Sequence, residues 1–158
     1  MIAAIVFLVI TAPFCLWAAW SDLKFLKIPN ILSIMLAISF VIVGIFVLPF
    51  EDYLWRLFVG VAAFVIGFVI YLSGIIGGGD IKFIAAMLPF VAPDDLLAFA
   101  FLISIMSLAG VASHRLVGKL KLAPEGWKSW NTGRKFPFGF SLAGALFYYG
   151  VFNVFMAF

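Results

Sequence analysis

The sequence has 158 residues, of which 66% are hydrophobic and only 11% are charged, with a formal net charge of +3. Soluble globular chains have roughly 45–50% apolar and about 25% charged residues, so these few charges cannot cover a soluble globule. The single cysteine, Cys15, excludes a disulfide scaffold. This composition predicts an all-α integral membrane protein. At about 20 residues per span, little of the chain is left to form a catalytic domain outside the bilayer.

Apolar runs separated by charges and helix breakers predict a bundle of six transmembrane helices in one membrane-embedded domain, residues 1–158. The runs are continuously apolar, which disfavours the alternating pattern of an outer-membrane barrel. The first run is long and lacks a basic segment before it, so we expect a retained helix and not a signal peptide. In chain order, the predicted spans are residues 2–20, 31–50, 53–72, 81–92, 96–113 and 138–158.

The basic residues predict how these spans are oriented. Nine of the ten follow span 1, follow span 3 or lie between spans 5 and 6, and only Arg56 lies on the opposite side. By the positive-inside rule, the loops that carry the nine are cytoplasmic and both termini are on the non-cytoplasmic side. The net positive charge is therefore assigned to topology and anionic lipid, and nucleic acid is not an expected partner.

Four of the seven acidic residues precede predicted helices on the outer side. Glu51 and Asp52 precede span 3, and Asp94 and Asp95 precede span 5. Acidic side chains at a helix start can cap free N–H groups and favour the positive end of the helix dipole. We therefore expect these four residues to have a structural role.

Asp22 and Asp80 differ from the other acids in their position. Asp22 ends span 1, and Asp80 follows the glycines 77–79 and opens span 4, so both are predicted on the cytoplasmic side. Span 4 has about 12 residues and reaches about 18 Å, which is short of about 30 Å of hydrocarbon. One arrangement lets the glycine stretch dip into the membrane, with Asp80 in a water-filled cavity. A carboxylate at that depth is by default a sign of function.

Two carboxylates at matching depth suggest an acid–base pair. If they lie close together they cannot both ionise, so they share a proton. One can then deprotonate a water molecule while the other protonates the carbonyl oxygen or the leaving amine, as in aspartyl peptide hydrolysis. The glycines would permit a strained turn and let an extended substrate come close.

Other interpretations of the two acids remain open. Asp22 could neutralise Lys24, and Asp80 could cap a helix. Alternatively, a small transporter or assembly scaffold could use Asp22 and Asp80 as an ion or proton relay. The placement of both acids toward one face, with no carboxylate at the midplane, disfavours a relay.

Three motifs resemble those of type IV prepilin peptidases, which are membrane aspartyl proteases of the GxGD class. They occur in the family's order and cover the whole chain, with the expected six spans. A GxGD motif alone would be weak, but the combination is specific. The motifs are Asp22 followed after five residues by Ile28, Pro29 and Asn30; then Gly77, Gly78, Gly79, Asp80, Ile81 and Lys82; and finally Phe136, Pro137, Phe138 and Gly139.

The resemblance implies that Asp22 and Asp80 are the catalytic pair and that Gly77 and Gly79 shape the active-site loop. Pro29 and Asn30 would start span 2 and seat the loop that bears Asp22. Gly78, Ile28, Pro137, Phe138 and Gly139 are likewise expected to bind substrate or shape loops. The substrate would be a prepilin, a leader followed by a hydrophobic helix, cut at the cytoplasmic face of a bacterial inner membrane without a cofactor. Lys82 is about 200° round the helix from Asp80, so we expect it to face lipid headgroups.

One departure from the family pattern concerns the segment between spans 1 and 2. Long family members carry a cytoplasmic segment there, often with paired cysteines, that is associated with N-methylation of the mature pilin. Here about ten residues join the spans, and Cys15 lies within span 1. The resemblance therefore implies a short peptidase of the tight-adherence (Flp) pilus type, without methyltransferase activity.

Two other kinds of site are disfavoured. One histidine and one cysteine cannot supply a zinc site, and His114 is expected to be an interfacial residue. GxGD proteases of the presenilin or signal-peptide-peptidase kind have more spans and a different setting for the first aspartate, which the segment 28–30 argues against.

Overall fold

The structure is a computed structural model that describes residues 2–74, 76–132 and 136–157. Within these ranges the chain is helical and contains no strand, which confirms the all-α prediction. Short 3-10 turns at Leu88–Phe90 and Pro93–Asp95 lie between the fourth and fifth helices. The helices are α1 (Ile2–Phe25), α2 (Asn30–Val47), α3 (Phe50–Leu72), α4 (Gly78–Met87), α5 (Leu96–Lys119), α6 (Lys128–Asn131) and α7 (Phe138–Met156).

Each predicted span corresponds to a helix, although not every helix is long enough to cross a bilayer. Five of the described helices have the length and apolar character for a crossing: α1, α2, α3, α5 with the turn before it, and α7. The fourth, α4, has ten residues and is about 15 Å long. Residue 158, which ends the last predicted span, lies outside the described residues.

When the short α4 is counted, successive helices among α1, α2, α3, α4, α5 and α7 run in opposite directions, so the bundle has two distinct ends. At one end α1 ends and α2, α4 and α7 begin, and we call this the Asp22 end. At the opposite end the hydroxyl of Tyr149 in α7 accepts a hydrogen bond from the N–H of Ala92 at 2.9 Å. The chain between the start of α4 and Ala92 therefore runs from the Asp22 end to the opposite end.

The core lies where α1, α2, α4 and α7 meet. Phe90, after α4, packs edge-on against Phe7 of α1 and Phe40 of α2, with ring centroids 5.3 and 5.2 Å away. On the other face of α1, Gly150 allows Leu8 to approach so closely that a Cβ would lie 3.0 Å from its Cδ1. These contacts bring α4 and α7 together around α1, which positions the polar residues at the Asp22 end.

The acids at the opposite end have partners that the capping prediction missed. Asp95 is the N-cap residue of α5 but makes no side-chain capping hydrogen bond, and it accepts one from the Tyr149 hydroxyl at 2.7 Å. Asp52 lies in the first turn of α3 and forms an ion pair with Arg56 at 3.1 Å. Their position at helix starts agrees with the helix dipole. The prediction of side-chain capping was wrong for Asp95, because a hydroxyl on another helix occupies the carboxylate.

His114 is held within the protein. Its ring stacks on that of Trp130, with centroids 4.5 Å apart, and the Trp130 indole N–H donates to the His114 carbonyl oxygen at 2.9 Å. Phe136 meets the imidazole edge-on at 5.9 Å. This cluster attaches the segment after α5 to the helix itself.

Candidate active site

The first aspartate lies in the last turn of α1, just before the helix ends. Leu26 ends the helix in the left-handed region at φ 53°, and its N–H donates to the Asp22 carbonyl oxygen at 2.8 Å. The Ser21 hydroxyl donates to the Lys27 carbonyl oxygen at 2.8 Å, which closes the turn. A left-handed conformation costs a non-glycine residue about 1–2 kcal/mol, so the surrounding contacts must hold it in place. The turn directs Ile28 back into the protein, where it is buried.

The carboxyl group of Asp22 is buried against the start of α7. Only 5% of this residue is exposed, and its Oδ2 accepts the backbone N–H of Phe140 at 3.3 Å. Pro137 is the N-cap residue of α7, and Phe138 and Gly139 form the beginning of its first turn. The first N–H groups of a helix have no partner within the helix and favour a negative charge. The start of α7 therefore supplies a hydrogen-bond donor to the buried Asp22 carboxyl group.

Gly139 brings the first and third motifs into direct contact. A Cβ on Gly139 would lie 2.5 Å from Cδ1 of Ile28 and 3.0 Å from Oδ2 of Asp22. Both distances are shorter than normal side-chain contacts, so there is no room for a side chain. Glycine at this position lets α7 approach Asp22 closely enough for the Phe140 hydrogen bond.

Asp80 lies in the first turn of α4 and is partly buried. The preceding Gly79 packs on Ile28, where a Cβ would be 3.5 Å from the carbonyl oxygen. Ile28 is thus enclosed by Gly79 on one side and by Gly139 and Asp22 on the other. Asp80, the residue after Gly79, is thus at the same end of the bundle as Asp22 and close to the same Ile28. The structure therefore brings together the two aspartates that the sequence singled out.

The glycines before Asp80 are needed for space and not for an unusual backbone. Gly77 is the N-cap residue of α4 with φ −67° and ψ 139°, values that any residue adopts, so the prediction of a strained turn was wrong. A Cβ on Gly77 would lie 3.1 Å from Oδ2 of Asp80. On Gly78 it would lie 3.2 Å from the Tyr71 ring. A larger residue at either position would press on the carboxylate or on α3.

The segment 28–30 starts α2 as predicted. Pro29 is the N-cap residue and the helix begins at Asn30. The Asn30 side-chain oxygen accepts a hydrogen bond from Nζ of Lys82 at 3.1 Å. Lys82 was expected to face headgroups; it is exposed, but it points toward the start of α2.

Among the residues that the structure describes, no group of three or more His, Cys, Asp or Glu side chains is placed to hold a metal ion. The polar groups of the site are the two aspartates, the Phe140 N–H and the Lys82–Asn30 pair.

Comparison with known proteins identifies the family. The model of the type IV leader peptidase family matches residues 9–112. The chain belongs to this family. Both Asp22 and Asp80 lie within the matched residues, whereas residues 136–139 lie beyond them. Neither the search of curated proteins nor the search of solved structures found a significant match. The apolar helices indicate a membrane protein. Membership in the family supports a general leader-peptidase role.

Two features of the site had no signal in the sequence. The Phe140 hydrogen bond to Asp22 joins residues 118 positions apart, and a backbone donor leaves no mark on residue type. The Lys82–Asn30 contact joins residues 52 positions apart. The third motif was assigned from family resemblance alone, without a contact that would explain it.

Proposed function

We propose that this protein is a membrane aspartyl endopeptidase that removes the leader peptide of prepilins, with Asp22 and Asp80 as its catalytic pair. The observation that carries the proposal is that Asp22 and Asp80 lie at one end of the bundle around the same Ile28, with Asp22 buried against the start of α7. Such a pair is costly to bury without a function. The family match supports the same class of reaction.

The proposed chemistry needs one proton shared between the two carboxyl groups. The ionised carboxylate removes a proton from water, and the water oxygen attacks the carbonyl carbon of the scissile peptide bond. The protonated carboxyl hydrogen-bonds the carbonyl oxygen, and a proton is delivered to the leaving amine as the C–N bond breaks. We assign Asp22 the ionised role at the start, because the Phe140 N–H donates to it and the start of α7 favours its charge.

The substrate in this proposal is a prepilin of the tight-adherence (Flp) type. The α1–α2 connection is only residues 26–29, which leaves no inserted segment for pilin N-methylation between these helices. Gly77 is exposed and lacks a side chain, so an extended leader can lie along its backbone beside Asp80. Ile28 and residues 137–139 support the carboxylates and do not themselves react.

We further propose six passes through a bacterial inner membrane, with the Asp22 end toward the cytoplasm and residues 1–158 as one peptidase domain. Lys24, Lys27 and Lys82 lie at this end, and Arg56 lies in α3 near the opposite end, in agreement with the positive-inside rule. In this arrangement α4 makes the fourth pass although it is short, and the glycines before it lie below the headgroups. The leader peptide is then reached from the cytoplasm.

The test is cleavage of a candidate prepilin in membranes. Membranes that contain this protein should convert a tight-adherence prepilin into a shorter form, and mass spectrometry should locate one cut just before the hydrophobic helix. Membranes that lack the protein are the control. Absence of a cut product across tight-adherence and other type IV prepilins, with the protein present at normal levels, would refute the proposed function and favour an ion relay.

A further inference from the structure

A lipid-facing groove lies on the side of α4 away from the core. At the opposite end α2 and α3 are in contact: Tyr53 stacks on Phe40 with centroids 5.8 Å apart, and its hydroxyl donates to the Val41 carbonyl oxygen at 3.1 Å. Toward the Asp22 end, α4 packs between them. A cavity of about 520 Å³ remains open to the outside over α4. We call it the α2–α3–α4 groove; its lining includes Asn30, Ser33, Ile34, Gly60, Val61, Lys82 and Ala85.

The walls and floor of the groove suit an apolar helix. Ile34 and Val61 form exposed apolar rims on α2 and α3. Ala37, Ala85 and Ala86 contribute small side chains to the lining, beside the larger Phe40, Leu57 and Phe64. Small residues at an interface let the backbone of a second helix come close, which is how helices associate within a bilayer.

The mouth of the groove is polar, which an acyl chain does not satisfy. Ser33 is 5% exposed, and its hydroxyl has no hydrogen-bond partner among the described residues. Lys82 donates to the neutral Asn30 amide, while the ion pair found in the described part of the chain joins Arg56 and Asp52. A buried hydroxyl and an ammonium without a counter-charge favour an occupant that brings an acceptor and a negative charge.

The mouth is continuous with the candidate active site. Asn30 follows Ile28 by two residues, and Ile28 contacts Gly79 on one side and Gly139 on the other. A chain leaving the groove at Lys82 therefore reaches Asp80 by crossing the glycines that begin α4. Of these glycines Gly77 is exposed, whereas Gly78 packs on the Tyr71 ring and Gly79 on Ile28.

We propose that the α2–α3–α4 groove binds the hydrophobic helix of the substrate, with an acidic side chain near the start of that helix bound to Lys82. This inference rests on the proposed function and specifies which surface holds the substrate. The helix lies in the groove from the lipid side, and the preceding segment crosses the glycines to the aspartates. Asp80 thus acts in cleavage on one side of α4, and Lys82 binds the substrate helix on the other side.

Filling the groove tests the proposal by kinetics. Val61 and Val9 are both lipid-exposed valines, 62% and 67% exposed, but only Val61 lines the groove. Val61→Trp should raise KM for the prepilin by roughly tenfold or more, with kcat nearly unchanged, because it blocks binding and leaves the aspartates in place. Val9→Trp is the matched control and should leave both constants as they are. Equal kinetics in the two variants would overturn the groove assignment while leaving the peptidase activity established.

Cross-linking tests the same surface without relying on turnover. A photoreactive amino acid is placed at position 61 or at position 9 in an Asp80→Asn background that retains the substrate. The prepilin helix should cross-link at position 61 and not at position 9. Cross-links at position 61 to lipid alone would show that the groove is an ordinary lipid-facing surface and would overturn the proposal.

Charge reversal tests the mouth. Lys82→Glu should raise KM for a prepilin that carries an acidic residue near the start of its helix, and changing that residue to lysine should restore KM. Absence of rescue would refute the role assigned to Lys82. Absence of cleavage by the unmodified protein would instead contradict the proposed function itself.

Discussion

Gly139→Ala is expected to damage the candidate active site without removing any of its side chains. The new Cβ would lie 2.5 Å from Cδ1 of Ile28, so that side chain must retreat by about 1 Å to reach a normal contact. The same Cβ would lie 3.0 Å from Oδ2 of Asp22, which is the oxygen that accepts the Phe140 N–H. Overpacking of this kind costs about 1–3 kcal/mol of stability. A displacement of about 1 Å in a catalytic group lowers activity by about 100-fold, and the Asp22 oxygen must give by only a few tenths of an ångström, so we expect a loss of about tenfold.

Initial rates of prepilin cleavage at matched membrane levels measure this effect. Gly144→Ala in the same helix is the control, because its Cβ would lie 3.5 Å from Cε of Met106, an ordinary contact. It should cleave at the normal rate and, as an alanine in a helix, be up to about 1 kcal/mol more stable. If Gly139→Ala cleaves as fast as Gly144→Ala, close packing of α7 on Asp22 is not what organises the site.

Two further predictions separate stability from activity. Tyr149→Phe removes the hydroxyl that binds Ala92 and Asp95, which should cost about 1–3 kcal/mol in thermal unfolding in detergent. Cleavage should persist, since Tyr149 is about 15 Å along α7 from the Asp22 end; a slow but fully stable variant would contradict this. Gly60→Ala should destabilise the protein by about 1–3 kcal/mol, because its Cβ would lie 2.7 Å from the rigid Pro89 ring. If Gly60→Ala melts at the same temperature as Gly144→Ala, the control in α7, then α3 and α4 can separate at little cost in free energy.

The parts of the fold that depend on apolar runs could be predicted from the sequence. The helix starts at Asn30 and Phe138 agree with prediction, because proline before a helix and a continuous apolar run are local signals. The sequence predicts Asp22 and Asp80 as a pair for two reasons. Each belongs to a short motif, and the number of predicted membrane passes between them places both on the same side. Both residues lie at helix ends that meet at the same end of the bundle.

What could not be predicted depends on contacts between distant parts of the chain. The donor to Asp22 is a backbone N–H on α7, and the partner of Asp95 is a hydroxyl on the same helix. The partner of Asp52 was different: Arg56 lies four residues on, a spacing that often forms ion pairs in helices. This ion pair therefore has a local signal in the sequence. The groove depends on how α2 and α3 separate over α4, which no local pattern records.

The claim that two carboxylates perform the cleavage is tested most directly by Asp22→Asn and Asp80→Asn, each assayed for prepilin cleavage with purified enzyme. Asparagine keeps the shape but cannot take up or release the proton, so both variants should lose at least about 100-fold in rate. Asp94→Asn is the matched control, an exposed acid at the opposite end that should retain full activity. Near-normal cleavage by either Asp22→Asn or Asp80→Asn would contradict the paired-aspartate mechanism.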